Sequence, residues 1–228
     1  MSITVKWFAH SAFLFTINGR HLLIDPFISD NPLAEGVDIK TIPADLIALT
    51  HAHGDHVGDT IAIAKRTGAT VVCNFEMGNW IEEQGIEHVE RGNPGGTYHG
   101  DFVSLKWTVA THTSSFPDGT YGGEPNGFII TADERKIYFA GDTNLFGDMA
   151  LIGDEGIEVA FLPIGDTFTM GVEDSIKAVK LIRPKYVIPM HYNTFPAIVQ
   201  DVSAWAEMVN RETDAQPIVN DPGMSFEL

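Results

Sequence analysis

Apolar positions in this chain come in short runs or strict alternation, and the runs fall into two similar rounds. In the first, residues 3–8 and 12–17 read as strands, and Asn18-Gly19 before the apolar run 21–24 is the mark of a tight hairpin. Residues 46–50 look like a buried strand. Asp59 is placed to cap a helix reaching about Arg66, with Gly68 to end it. A strand over 70–73, a helix over 76–84 and a Gly/Pro-rich loop over 91–96 follow.

The second round has an alternating segment at 102–110, a strand at 128–131, a charged turn at 133–136 and a strand at 137–140. Strands at 159–162 and 186–190 then alternate with helices near 173–182 and 197–211. Two such sets imply an α+β arrangement, two sheets packed face to face with helices outside, in a single domain over residues 1–228.

Residues 51–56 read His-Ala-His-Gly-Asp-His directly after an apolar strand. Four metal-capable side chains in six residues predict a metal site. Imidazole and carboxylate donors suit a borderline divalent ion such as zinc, and the lack of thiolates argues against a purely structural zinc knot. Gly54 is expected to form a tight turn that aims neighbouring side chains at one place. Three further metal-capable residues also follow apolar strands: His112, Asp142 and His191. Strand-end loops are where a rigid sheet holds side chains in fixed convergence.

Composition narrows the chemistry. The net charge is −17, from 31 acidic against 14 basic residues, with no Lys/Arg-rich run. A long polyanion would be repelled, so nucleic acid is disfavoured as a partner and a small molecule preferred. The single cysteine, Cys73, lies in an apolar stretch and reads as a buried core thiol. Its solitude fits a reducing, cytoplasmic compartment. Residues 1–15 lack the features of a signal peptide and read as the first strand, and no later stretch is apolar enough to span a bilayer. The hydrophobic C-terminal half offers either a homo-oligomer surface or a core helix.

H-x-H-x-D-H, then His112, then Gly141-Asp142-Thr143, then His191 resembles the metallo-β-lactamase superfamily, whose fold is a four-layer αββα sandwich with metals at one edge. Trp7-Phe8-Ala9-His10-Ser11-Ala12-Phe13, Ile24-Asp25-Pro26-Phe27, Leu162-Pro163-Ile164-Gly165-Asp166 and Ile188-Pro189-Met190-His191-Tyr192-Asn193-Thr194 resemble a narrower branch of predicted metal-dependent hydrolases. That branch is related to bacterial ascorbate-phosphate lactonases and, more distantly, to phosphodiesterases that cleave N-acyl phosphatidylethanolamine.

The resemblance implies two divalent ions. His51, His53 and His112 would bind one, Asp55, His56 and His191 the other, and Asp142 would bridge them. A bridging carboxylate and hydroxide would screen the repulsion between the cations. Zinc is the default, and manganese, iron or nickel also suit such donors. Flavin-linked di-iron relatives have a carboxylate where this chain has His53, and the Cys ligand of one lactamase subclass has no counterpart, since Cys73 is far from every motif.

The activity implied is hydrolysis by a dinuclear centre with a bridging hydroxide, on a small ester or lactone. A small phosphodiester, or metal-dependent sensing without turnover, are the alternatives. Asp55 would also orient the hydroxide and His10 would steady the leaving group or oxyanion, unless His10 is a hydrogen-bonded structural histidine. Asp25 and Asp166 each read as orienting a ligand histidine or as capping a turn. Residues 113–126 form a substrate wall or lid, or a plain connection. His21 and His88 read as surface residues, and His99 reaches the site only if its loop folds over.

Overall fold

In a computed structural model, which describes residues 3–228, the two rounds become two seven-stranded mixed sheets. The first sheet holds β1 (Ile3–Ala9), β2 (Ala12–Ile17), β3 (Arg20–Ile24), β4 (Leu46–Ala48), β5 (Thr70–Asn74) and β6 (Val89–Gly92) in sequence order. The second holds β7 (Thr97–His99), β8 (Ser104–Val109), β9 (Asn126–Ala132), β10 (Arg135–Phe139), β11 (Val159–Pro163), β12 (Tyr186–Met190) and β13 (Gln216–Pro217). The last strand, β14 (Ser225–Glu227), returns to pair antiparallel with β1.

Each sheet is an antiparallel meander, β1-β2-β3 or β8-β9-β10, continued by parallel strands. The parallel strands are reached through helices: α1 (Gly54–Val57), α2 (Thr60–Thr67) and α3 (Phe75–Glu83) on the first sheet, and α4 (Met149–Asp154), α5 (Val172–Ile182) and α6 (Val202–Glu212) on the second. This is the expected αββα sandwich, and its parallel strands all end at one edge.

Period-two alternation decides which side chains meet. Phe13, Phe15 and Ile17 of β2 and Leu22 and Ile24 of β3 face the second sheet, whereas Leu14 and Leu23 face the helices outside. Edge-on contacts of Phe161 with Phe13 at 4.9 Å and Phe15 at 5.4 Å join the sheets. Each buried Phe contributes about 1.5–3 kcal/mol through burial and each such pair a further ~1 kcal/mol. The apolar pattern of the C-terminal half is core: Ile176 and Val179 of α5 pack with Trp205 and Val209 of α6, and Trp205 Nε1 donates to Ser175 Oγ at 2.9 Å. Among the described residues no helix is long and apolar enough to cross a membrane.

Several boundaries differ from expectation for identifiable reasons. Asp59 occupies the position before α2, but its carboxylate accepts from the Ile28 and Ser29 amides instead of capping the helix. The helix expected over 197–211 is one 3-10 turn at Pro196–Ile198 followed by α6, which Asp201 caps by accepting from Ala204 N at 3.0 Å. The charged turn shrinks to Asp133-Glu134. Arg135 and Lys136 begin β10, paired with Glu158 and Glu155. Two short polar strands flank the loop expected over 91–96, β6 taking its first two residues and β7 beginning just after it.

Candidate metal centre

Every strand-end residue singled out from the sequence lies at the same edge of the sandwich. The ligand-capable atoms of His51, His53 and His112 fall within 4.8 Å of one another, as do those of His10, Asp55, His56 and His191. Asp142 lies between the groups. Its Oδ2 is 2.9 Å from His191 Nε2, 3.4 Å from His56 Nε2 and 3.6 Å from His112 Nε2.

The six-residue motif divides because a short helix begins inside it. His51 stands three residues past the end of β4, His53 precedes α1, and Asp55 and His56 lie in the single turn of α1. Gly54 is the first residue of that helix, so the expected glycine turn is absent. The side chains are aimed by helical geometry, and a Cβ at Gly54 would come within 3.2 Å of Pro117 Cγ.

Backbone strain concentrates here. His10, Asp25 and His191 have φ of 55°, 43° and 56°, a region that costs a non-glycine residue roughly 1–3 kcal/mol. Two of these residues hold each other: the His10 carbonyl accepts from the His191 amide at 3.2 Å and from Trp7 Nε1 at 3.1 Å, joining the two sheets at the site.

Asp25 resolves toward the orienting role. It is fully buried and its Oδ2 accepts from Thr50 Oγ1 at 2.6 Å and from His56 Nδ1 at 2.8 Å, while Oδ1 accepts from the Thr50 amide at 2.9 Å. Nδ1 is thereby committed as the donor to Asp25, so in the neutral ring the lone pair lies on Nε2, which faces the cluster. Asp166 resolves the other way. It is exposed, sits in a turn closed by its own backbone to Met170, and its side chain reaches none of the histidines.

His10 is completely buried. Nδ1 is 2.9 Å from Thr194 Oγ1 and Nε2 is 3.2 Å from Asp55 Oδ2, with Phe27 and Phe195 edge-on around the ring. It therefore faces the cluster through Asp55 rather than facing solvent. His88 and His99 are exposed, and His21 is held by Asp45 at the far ends of the strands.

The 113–126 segment is fixed rather than free. Asn74 Nδ2 donates to the carbonyls of Gly122 and Glu124 at 2.7 and 2.9 Å, and Ser114 Oγ donates to Gly122 O while accepting from the Ala52 amide. Phe116 stacks on Trp80 at 4.0 Å. A Cβ on Gly122 would lie 2.2 Å from that of Ala52, so glycine is required for the loop to lie against the motif. Sequence reasoning missed Asn74, Ser114, Thr50 and Thr194 in these supporting roles. Thr50 and Thr194 adjoin the histidine motifs, which was the available signal.

Electrostatics suit a cation. Burial drives the His51, His53 and His112 rings toward the neutral form, and burial with the neighbouring His191 lowers His10 to about 4. Burial alone would raise Asp142, yet His191 and His56 hold it well below the usual carboxylate range. Burial likewise opposes ionisation of Asp55, and the His10 hydrogen bond with the His56 charge overcomes it. Against burial, Asp142 and Asp25 carry His56 well above its ordinary value.

Neutral imidazoles around ionised carboxylates are the donor set of a borderline divalent ion, which would displace the His56 charge. Buried His56 Nε2 and Asp142 Oδ1 also have no hydrogen-bond partner among the described residues. Such groups cost about 1–3 kcal/mol each when left unpaired, so the donors fit metal ions at this edge.

Known proteins share this architecture. Residues 4–191 match the family model described as the β-lactamase superfamily domain. A UPF0173 metal-dependent hydrolase of Thermus thermophilus is 48% identical over 226 residues, covering 99% of both chains, and one of Symbiobacterium thermophilum is 46% identical over 98% of this chain and 99% of its own. The solved structure of Igni18, a metallo hydrolase of the archaeon Ignicoccus hospitalis, superposes with a TM-score of 0.92 at 37% identity, covering 100% of this chain and 99% of that one. The chain thus belongs to the metallo-β-lactamase superfamily and, within it, to the metal-dependent hydrolases.

Proposed function

We propose that this chain hydrolyses a small ester or lactone with two divalent ions, zinc by default, and with a bridging hydroxide as nucleophile. His51, His53 and His112 would hold one ion, Asp55, His56 and His191 the other, with Asp142 shared. The observation that carries the reading is the position of Asp142 Oδ2, which has imidazole nitrogens of both groups within 2.9–3.6 Å. When bound, such ions supply Lewis acidity and acidify a water to hydroxide near neutral pH.

The side chains do the rest. Asp142 puts negative charge where two cations would otherwise repel, and Asp25 keeps His56 in the tautomer that can ligate. Asp55 has one oxygen engaged by His10, leaving the other to ligate or to orient the attacking water. His10 then acts by positioning Asp55, because its own ring is sealed from the solvent. The completeness of the donor set argues against a sensor that has lost turnover.

The test is a panel of esters, lactones and phosphodiesters offered to protein loaded with zinc or manganese. Ester or lactone turnover that disappears on chelation and returns with metal is expected. Full activity in metal-free protein refutes the reading, and ligand binding without turnover across the panel favours the sensing alternative.

A further inference from the structure

None of the 14 Lys and Arg residues lies in the loops that carry the cluster. The strand-end segments at 9–11, 25–33, 49–59, 110–126, 140–148, 164–171 and 191–201 contain ten Asp or Glu and no Lys or Arg. Basic side chains stand elsewhere, many already engaged: Arg20 on Asp45, Arg91 on Glu82, Arg135 on Glu158, Arg183 on Asp154. Helix α5, which follows the loop after β11, offers no anion site either, since Glu173 and Asp174 occupy its first turn.

Beside His10 this edge presents aromatic rings. Phe195 leans against His10 at 5.7 Å and Phe27 at 6.3 Å. Thr167 Oγ1 donates to Ala197 O at 2.9 Å, tying the loop after β11 to the loop after β12. Those tied loops carry Phe168 and Val199, 58% and 63% exposed.

Building on the hydrolase reading, we infer that the substrate carries no anionic group outside its scissile group and bears an apolar substituent that lies against Phe195 and Phe168. Metal ions at the cluster neutralise charge at the scissile group only. A phosphate or carboxylate elsewhere on the substrate would meet segments that carry carboxylates and no guanidinium or ammonium to receive it, in the field of a chain of net charge −17. Phosphorylated lactones and carboxylate-bearing esters are thereby excluded, which separates this chain from sugar-phosphate lactonases by chemistry.

The experiment uses zinc-loaded protein and γ-lactones of increasing alkyl length, beside the same ring bearing a carboxylate or a phosphate group. The neutral compounds should show at least ~10-fold higher kcat/KM than their carboxylate- or phosphate-bearing counterparts. Their kcat/KM should rise with chain length, and Phe195→Ala should abolish that rise. Phe168→Lys, on an exposed side chain that the fold does not need, should raise kcat/KM for the anionic lactones about 5-fold at low salt and lose the gain at high salt. Equal or better turnover of an anionic compound overturns the inference while leaving the hydrolase reading intact. If no compound is hydrolysed, the lactone reading fails, and calorimetric binding of the matching lactams still decides whether the site rejects anions. A neutral lactam bound ~10-fold more tightly than its anionic counterparts supports the inference, and an anionic one bound equally or better overturns it.

Discussion

Replacing Asp25 with Asn removes one charge and almost no volume, yet the surrounding donors leave the amide no acceptable orientation. If its NH2 takes the Oδ2 position, it faces His56 Nδ1 at 2.8 Å. His56 must then move its proton to Nε2, losing the lone pair that faces Asp142. If the NH2 takes the Oδ1 position, it meets the Thr50 amide N–H at 2.9 Å. The first outcome should weaken binding of the ion at His56 by 10–100-fold, about 1.4–2.7 kcal/mol. The second leaves a buried donor unpaired, at about 1–3 kcal/mol of folding stability. Competition against a chromophoric chelator measures the affinity, and urea unfolding of the metal-free protein measures the stability. A folded Asp25→Asn protein that binds both ions within about threefold of the wild-type affinity would refute the argument that Asp25 sets the His56 tautomer.

Other expectations follow from the same contacts. Asp142→Ala should lose at least one ion per chain together with hydrolysis, as read by elemental analysis and the ester panel; full metal content and activity would contradict the shared-carboxylate role. Cys73 is buried in β5 and burial pushes its thiol from 9.0 up to about 12. The fold thus holds that proton more tightly than the unfolded chain does. The associated stability is complete below pH 9 and declines as pH rises toward 12, by at most about 1.4 kcal/mol per pH unit. Urea unfolding at pH 8, 9 and 10 should show this decline, and Cys73→Ala should flatten it. Asn74→Ala removes the cap on α3, where Oδ1 accepts from Met77 N at 2.8 Å, and both bonds to the 113–126 loop. It should cost about 1–2 kcal/mol and speed amide exchange across 113–126; unchanged exchange there would show the loop is held by other contacts.

The donors were legible because each follows an apolar strand, and strand ends of parallel neighbours must share an edge. Alternation in β1–β3 and β8–β10 was equally readable, since one face of each strand is core. What escaped was local polarity overridden by tertiary pairing: Val89–Gly92 and Thr97–His99 are strands only because β5 and β8 offer them a ladder. Asp25 and Asp166 look alike in sequence, each after an apolar strand. They diverge because Asp25 has Thr50 and His56 above it, whereas Asp166 turns toward solvent. The fixation of the loop by Asn74, and the burial of His10 under Phe27 and Phe195, link residues distant in the chain, and no local pattern encodes them.

The most direct measurement is anomalous diffraction at the zinc edge from crystals of the zinc-loaded protein. Two peaks per chain are expected, one among His51, His53 and His112, the other among Asp55, His56 and His191, with Asp142 contacting both. A single ion, or zinc bound away from these side chains, would contradict the account.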